Sequence, residues 1–119
     1  MGDNVVKVNV KDKRSEDRIK KNVLVYNDNG SIELLGVSSN ISRHGVFIES
    51  PNTDVSPLNG EISIILAAND EEYNLKGEVR WLKHPDDKFP ERVPAGLGIQ
   101  ITEAPAEYWN YVEYLRHVS

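Results

Sequence analysis

Two arginines four residues apart, in the run Arg14-Ser15-Glu16-Asp17-Arg18, offer two forked guanidinium donors on one short segment. A guanidinium keeps its charge at any working pH. Its planar fork matches two phosphate oxygens, or the O6 and N7 edge of a guanine. After an interval of 21 residues, Asn40-Ile41-Ser42-Arg43-His44-Gly45 places a carboxamide and a hydroxyl two apart, followed by a glycine. Both polar groups donate and accept, so they can read a base edge or a phosphate oxygen. Gly45 supplies either a turn conformation or room for the ligand that a side chain would block. Together these groups suit an anionic, guanine-like ligand. Each also has a plainer reading. The arginines could form exposed pairs with Asp17 or Glu16, and Asn40 and Ser42 could cap a turn through local backbone bonds.

Other chemistry is poorly supplied. His44, His84 and His117 are scattered without paired ligand spacing, so no metal site is expected. Ser42 and His44 are two apart, but no nucleophile elbow or orienting acid accompanies them, and no catalytic residue is assigned. Asp70, Glu71 and Glu72 read as a solvated hairpin tip. No P-loop or dinucleotide glycine pattern occurs, and no cofactor is expected. With no cysteine there can be neither disulfide nor thiolate metal site, which fits a reducing compartment and makes cytoplasm the expected location. No secretory signal and no apolar run of membrane-spanning length is visible, so membrane insertion is not expected.

The net charge of −5 is unevenly spread. Residues 1–21 hold seven Lys or Arg against four acids, whereas the remainder holds seven against fifteen. Duplex DNA binds mainly through phosphate neutralisation and would be repelled by most of this surface, so no nucleic-acid polymer is expected as a partner. A small dianion needs only a local basic pocket.

The elements that must position these groups are short. At 119 residues with 39% hydrophobic and 28% charged residues, the chain is sized for one domain with one core. Residues 1–11 are expected to be a flexible N-terminal arm, and no sustained period appears before Ile19. Residues 12–119 are expected to form a single barrel domain. Val23–Tyr26 reads as a strand ending in a turn at Asn29-Gly30. The run Ile32–Ile41 follows, with Leu35, Val37, Ser39 and Ile41 on one face and Ser38 and Asn40 on the other. Strands are also expected at Val46–Glu49, Glu61–Leu66 and Tyr73–Trp81, the last alternating strictly and carrying Gly77 as a bend or bulge. After a charged loop at 84–94, Leu97, Ile99 and Ile101 mark a final strand. The period then changes: Tyr108, Tyr111, Val112, Leu115 and Val118 predict a helix over about 105–117, opened by Pro105. Six short strands and a terminal helix predict an all-β fold, a six-stranded antiparallel barrel closed or nearly closed.

The chain resembles a PilZ domain, the bacterial receptor module for cyclic di-GMP. The Arg-x-x-x-Arg motif matches at Arg14 and Arg18. The Asp/Asn-x-Ser-x-x-Gly motif matches at Asn40, Ser42 and Gly45. Gly77-x-Val79-x-Trp81 and Gly96-Leu97-Gly98-Ile99 agree with it, and the resemblance spans roughly residues 12–116. It implies a split-barrel type of fold and a non-enzymatic receptor. Arg14, Arg18, Asn40, Ser42 and Gly45 would bind cyclic di-GMP, with Lys13 and Arg43 as possible accessory residues. It also implies that the arginine segment folds over the ligand and that the altered surface signals to a downstream protein partner. Lys13 stands where the family links residue type to binding one nucleotide or an intercalated pair, and a basic residue leans toward a pair. The alternative is a PilZ-like interaction module independent of nucleotide, although such members tend to lack one or both motifs.

Overall fold

The alternation that begins near Val23 becomes a closed ring of strands. The structure, a computed structural model, describes residues 5–7, 18–51, 53–83 and 95–118. Its strands are β1 (Val5–Lys7), β2 (Leu24–Asp28), β3 (Ile32–Ile41), β4 (Gly45–Glu49), β5 (Glu61–Ala68), β6 (Glu71–Lys83) and β7 (Gly96–Pro105), followed by helix α1 (Ala106–Val118). Antiparallel pairing runs β2–β3–β4–β7–β6–β5 and back to β2, which closes a six-stranded barrel. Closure removes the exposed edges that an open sheet would offer. The six-stranded barrel with its C-terminal helix is the expected architecture.

The turns follow from residue type. Gly30 carries φ of 109° between β2 and β3, and Asn69 and Asp70 carry φ of 51° and 68° between β5 and β6. Asn and Asp tolerate this left-handed region better than other side-chain-bearing residues, which suits a tight hairpin. Inside the barrel, Val25, Ile41, Ile48, Ile64, Leu66, Leu75, Val79, Leu97 and Ile101 are fully buried. Each such aliphatic side chain contributes about 1.5–3 kcal/mol on burial. Tyr108, Tyr111, Val112 and Leu115 of α1 join this core, with the Tyr73 ring stacked on Tyr111 at 5.2 Å. Val118, placed on the same stripe by its spacing, is instead exposed. Glu107 in the first turn and Arg116 and His117 in the last complement the helix dipole.

Two expectations are corrected. Val5–Lys7, within the segment read as an arm, forms a strand on β7, with Val5 opposite Pro105 and Lys7 opposite Glu103. Beyond Gln100, β7 has passed the end of β4, and β1 occupies the edge that β4 vacates. The strict alternation is also interrupted by four register shifts, two in β3, one in β6 and one in β7. They leave Leu35, Ser39, Arg80 and Thr102 as the extra residues. An extra residue moves everything beyond it to the opposite face. Ser38 therefore points into the barrel at 1% exposure, while Val37 is exposed. Trp81 emerges at 46% exposure, although its spacing from Val79 would bury it. The shift beside Gly77 agrees with the bend expected there, but the extra residue lies across from it on β7.

Candidate nucleotide site on the barrel wall

The site begins with the chain entering the barrel. Ile19 exchanges both backbone hydrogen bonds with Ile41, at 2.9 and 2.8 Å, as an antiparallel bridge. In that register Arg18 stands opposite Ser42. The segment is fixed from within by Ser38, whose hydroxyl donates to the Lys21 carbonyl and accepts from the Val23 amide at 3.0 Å. The Ser38 amide donates to the Val23 carbonyl at 2.9 Å. A small buried hydroxyl at the end of β3 thus anchors the segment that delivers Arg18.

The turn from β3 to β4 is held by its own side chain. The Ser42 amide donates to the Gly45 carbonyl at 2.9 Å, and the Ser42 hydroxyl donates to that carbonyl and accepts from the Gly45 amide, both at 3.2 Å. Ser42 is buried, and its carbonyl accepts from the Tyr108 hydroxyl at 3.3 Å, so α1 braces the turn from below. The Ile101 amide donates to the His44 carbonyl at 2.8 Å, tying the turn to β7. Gly45 has no positive φ among the residues described, and a Cβ there would meet the Ile99 carbonyl oxygen at 3.0 Å. The glycine thus lets the turn lie close against the β7 backbone.

These elements meet at a small open depression of about 80 Å³. Its wall contains Arg18, Asn40, Ser42 and Gly45 from the sequence motifs, together with His44, Phe47, Arg80, Trp81, Gly98 and Gln100. Arg14 and Lys13 lie outside the described residues, as do His84 and the loop at 84–94. Arg43 is exposed on the turn but is not in the wall. Among the described residues no carboxylate lines this depression, in a chain of net charge −5. A second depression, between β2, β5, β6 and β7, has Asp28, Glu61, Glu78 and Glu103 in its wall, with Lys76 as the one cation among the described residues. Of these two, the described residues of the first offer an anion the more favourable field.

Trp81 completes the wall as an aromatic floor. A Cβ on Gly98 would fall 2.7–3.0 Å from three atoms of the Trp81 ring, and one on Gly96 would fall 2.7 Å from the Phe47 ring. The two glycines of β7 thus leave slots in which the rings lie, 5.3 Å apart and tilted by 32°. Lys83 Nζ stands 5.9 Å from the Phe47 centroid. One face of Trp81 is backed by Gly98 while nearly half of the residue remains exposed, an arrangement able to stack on a purine. The motif spacing reaches Arg18 and Asn40, whereas Arg80, Phe47 and Gln100 carry no local signal and are gathered by strand register. Among the described residues no group of three or more His, Asp or Glu side chains could hold a metal ion, and no helix is long and apolar enough to cross a membrane.

Comparison with known proteins bears on the family and the fold. A family model described as the PilZ domain matches residues 12–115. A search of curated proteins returned no match. The solved structure of the Bacillus subtilis inhibitor of motility, MotI/DgrA, is similar with a TM-score of 0.70 at 14% sequence identity. That similarity covers 89% of this chain and 51% of the other, so the present chain spans about half the length of that protein. At this identity the likeness establishes the fold.

Proposed function

The chain belongs to the PilZ domain family, and on that premise we propose that it is a receptor for cyclic di-GMP that carries out no reaction. PilZ domains are in general receptor domains for this nucleotide and act as binding and regulatory modules. The observation that carries the reading is the convergence of Arg18, Asn40 and the Ser42–Gly45 turn on one depression that has no carboxylate among its described residues. Arg18, joined by Arg14, grips phosphate oxygens and a guanine edge through charge-assisted bonds. Asn40 presents its carboxamide to the second guanine edge. Ser42 and Gly45 act chiefly by shaping the turn, because the serine hydroxyl is already engaged there. Trp81 stacks on a base. Binding draws the segment carrying Lys13 and Arg14 onto the barrel wall, and the resulting surface is what a protein partner recognises. MotI/DgrA is described as an inhibitor of motility, so swimming behaviour is the first cellular output to assay.

Isothermal titration with cyclic di-GMP tests the reading. Saturable binding is expected, and Arg18→Ala should weaken it by about 1.5–3 kcal/mol, or roughly ten- to 150-fold, with the fold intact. Absence of binding at tens of micromolar nucleotide would overturn the proposal. Partner capture that is equally strong without nucleotide would favour the nucleotide-independent module instead.

A further inference from the structure

Arg80 is the extra residue of the register shift between Val79 and Trp81. Val79 is fully buried, whereas Arg80 and Trp81 are both exposed, so two successive side chains share the outer side of β6. This brings Arg80 into the same wall as Arg18, although it belongs to neither sequence motif. In this structure its guanidinium donates to the Glu78 carboxylate at 3.2 Å, with 43% and 38% of the two side chains exposed. Glu78 is itself absent from that wall and lines the neighbouring acidic depression.

An ion pair this exposed contributes little to stability, so the pairing is easily exchanged. A guanidinium has five donors, and a phosphate accepts two of them in parallel, more than the single contact made to Glu78. We propose that Arg80 is a further guanidinium of the nucleotide site, held in reserve by Glu78, and that Glu78 sets the affinity by competing with a ligand phosphate for Arg80. The inference rests on the cyclic di-GMP reading above. It assigns to β6 a contact supplied by the bulge, and it makes an acidic residue outside the site a negative determinant of binding.

The diagnostic sign is a gain. Cyclic di-GMP is titrated into the full chain and into Glu78→Gln, Arg80→Ala and the double variant. Glu78→Gln should tighten binding about two- to fivefold, because the competitor for Arg80 is neutralised. Arg80→Ala should weaken it about tenfold or more, and Arg80→Lys should recover only part, because charge is kept and the fork is lost. In the Arg80→Ala background Glu78→Gln should have no effect. An unchanged or weaker Kd for Glu78→Gln, beside wild-type binding, would overturn this inference and leave the receptor reading standing. A gain that persists without Arg80 would also overturn it, since it would report only the general field of one fewer acid. Failure of the wild-type chain to bind would overturn both.

Discussion

Ser38→Ala should destabilise the protein far more than the loss of one hydroxyl from a strand ordinarily does. Ser38 is 1% exposed, and its hydroxyl serves two backbone groups of the entering segment, the Val23 amide and the Lys21 carbonyl. The Val23 amide is buried, so losing its acceptor costs about 1–3 kcal/mol, the desolvation of an unpaired donor. Lys21 is only half-buried, so water can replace the lost donor to its carbonyl, and that part costs at most about 1 kcal/mol. The expected total is about 2–3 kcal/mol, or a thermal midpoint lower by roughly 8–15 °C for a domain of this size. Urea denaturation with an unchanged slope would measure it. The neighbouring Ser39→Ala, at the half-exposed bulge position, should stay within about 0.5 kcal/mol. Nucleotide affinity should also fall in Ser38→Ala, by less than in Arg18→Ala, because the Ile19–Ile41 bridge still holds the segment. A stability loss below about 0.5 kcal/mol would refute the role given to this hydroxyl.

Gly98→Ala should lower nucleotide affinity several-fold with little loss of stability. The added methyl would stand 2.7 Å from the Trp81 ring, and a half-exposed ring can tilt away from it. Intrinsic fluorescence in a Trp109→Phe background, where Trp81 is the single reporter, should show the displacement before any ligand is added. Alkaline titration should reveal the tyrosine cluster. Burial, reinforced by Glu71 and Glu107, raises the Tyr73 pKa above its usual 10, and burial followed by the charge of Tyr73 raises that of Tyr111. Below pH 10 both states keep these protons. Above it the unfolded chain ionises first, so stability should hold up to about pH 10 and fall beyond it. Tyrosinate absorbance that rose for all tyrosines together, with no loss of stability, would contradict this.

The barrel and its helix were legible because their signal is periodic. Ile62, Ile64 and Leu66, and Tyr73, Leu75, Gly77 and Val79, alternate as buried strand residues should, and Tyr108, Tyr111, Val112 and Leu115 repeat as a buried helix stripe should. What escaped was the phase. A single extra residue at Leu35 or Arg80 reverses every face beyond it, and neither position announces a bulge by its residue type. Trp81 and Ser38 consequently exchanged sides relative to the expected pattern. Strand β1 escaped for another reason: three residues give no period, and their pairing partners lie almost a hundred positions away. Arg18 and Asn40 were readable as motif members. The bridge between Ile19 and Ile41 that brings them together depends on long-range register, as does the arrival of Arg80 and Gln100 in the same wall.

Amide and indole chemical-shift mapping during a cyclic di-GMP titration tests the central claim most directly, since it reports binding and location together. Saturable shifts are expected at Lys13, Arg14, Arg18, the 40–45 turn, Arg80, Gly98, Gln100 and the Trp81 indole. The Asn27–Asn29 and Glu61–Ser63 region around the acidic depression should stay unmoved. No shifts at saturating nucleotide, or shifts centred on that acidic depression, would contradict it.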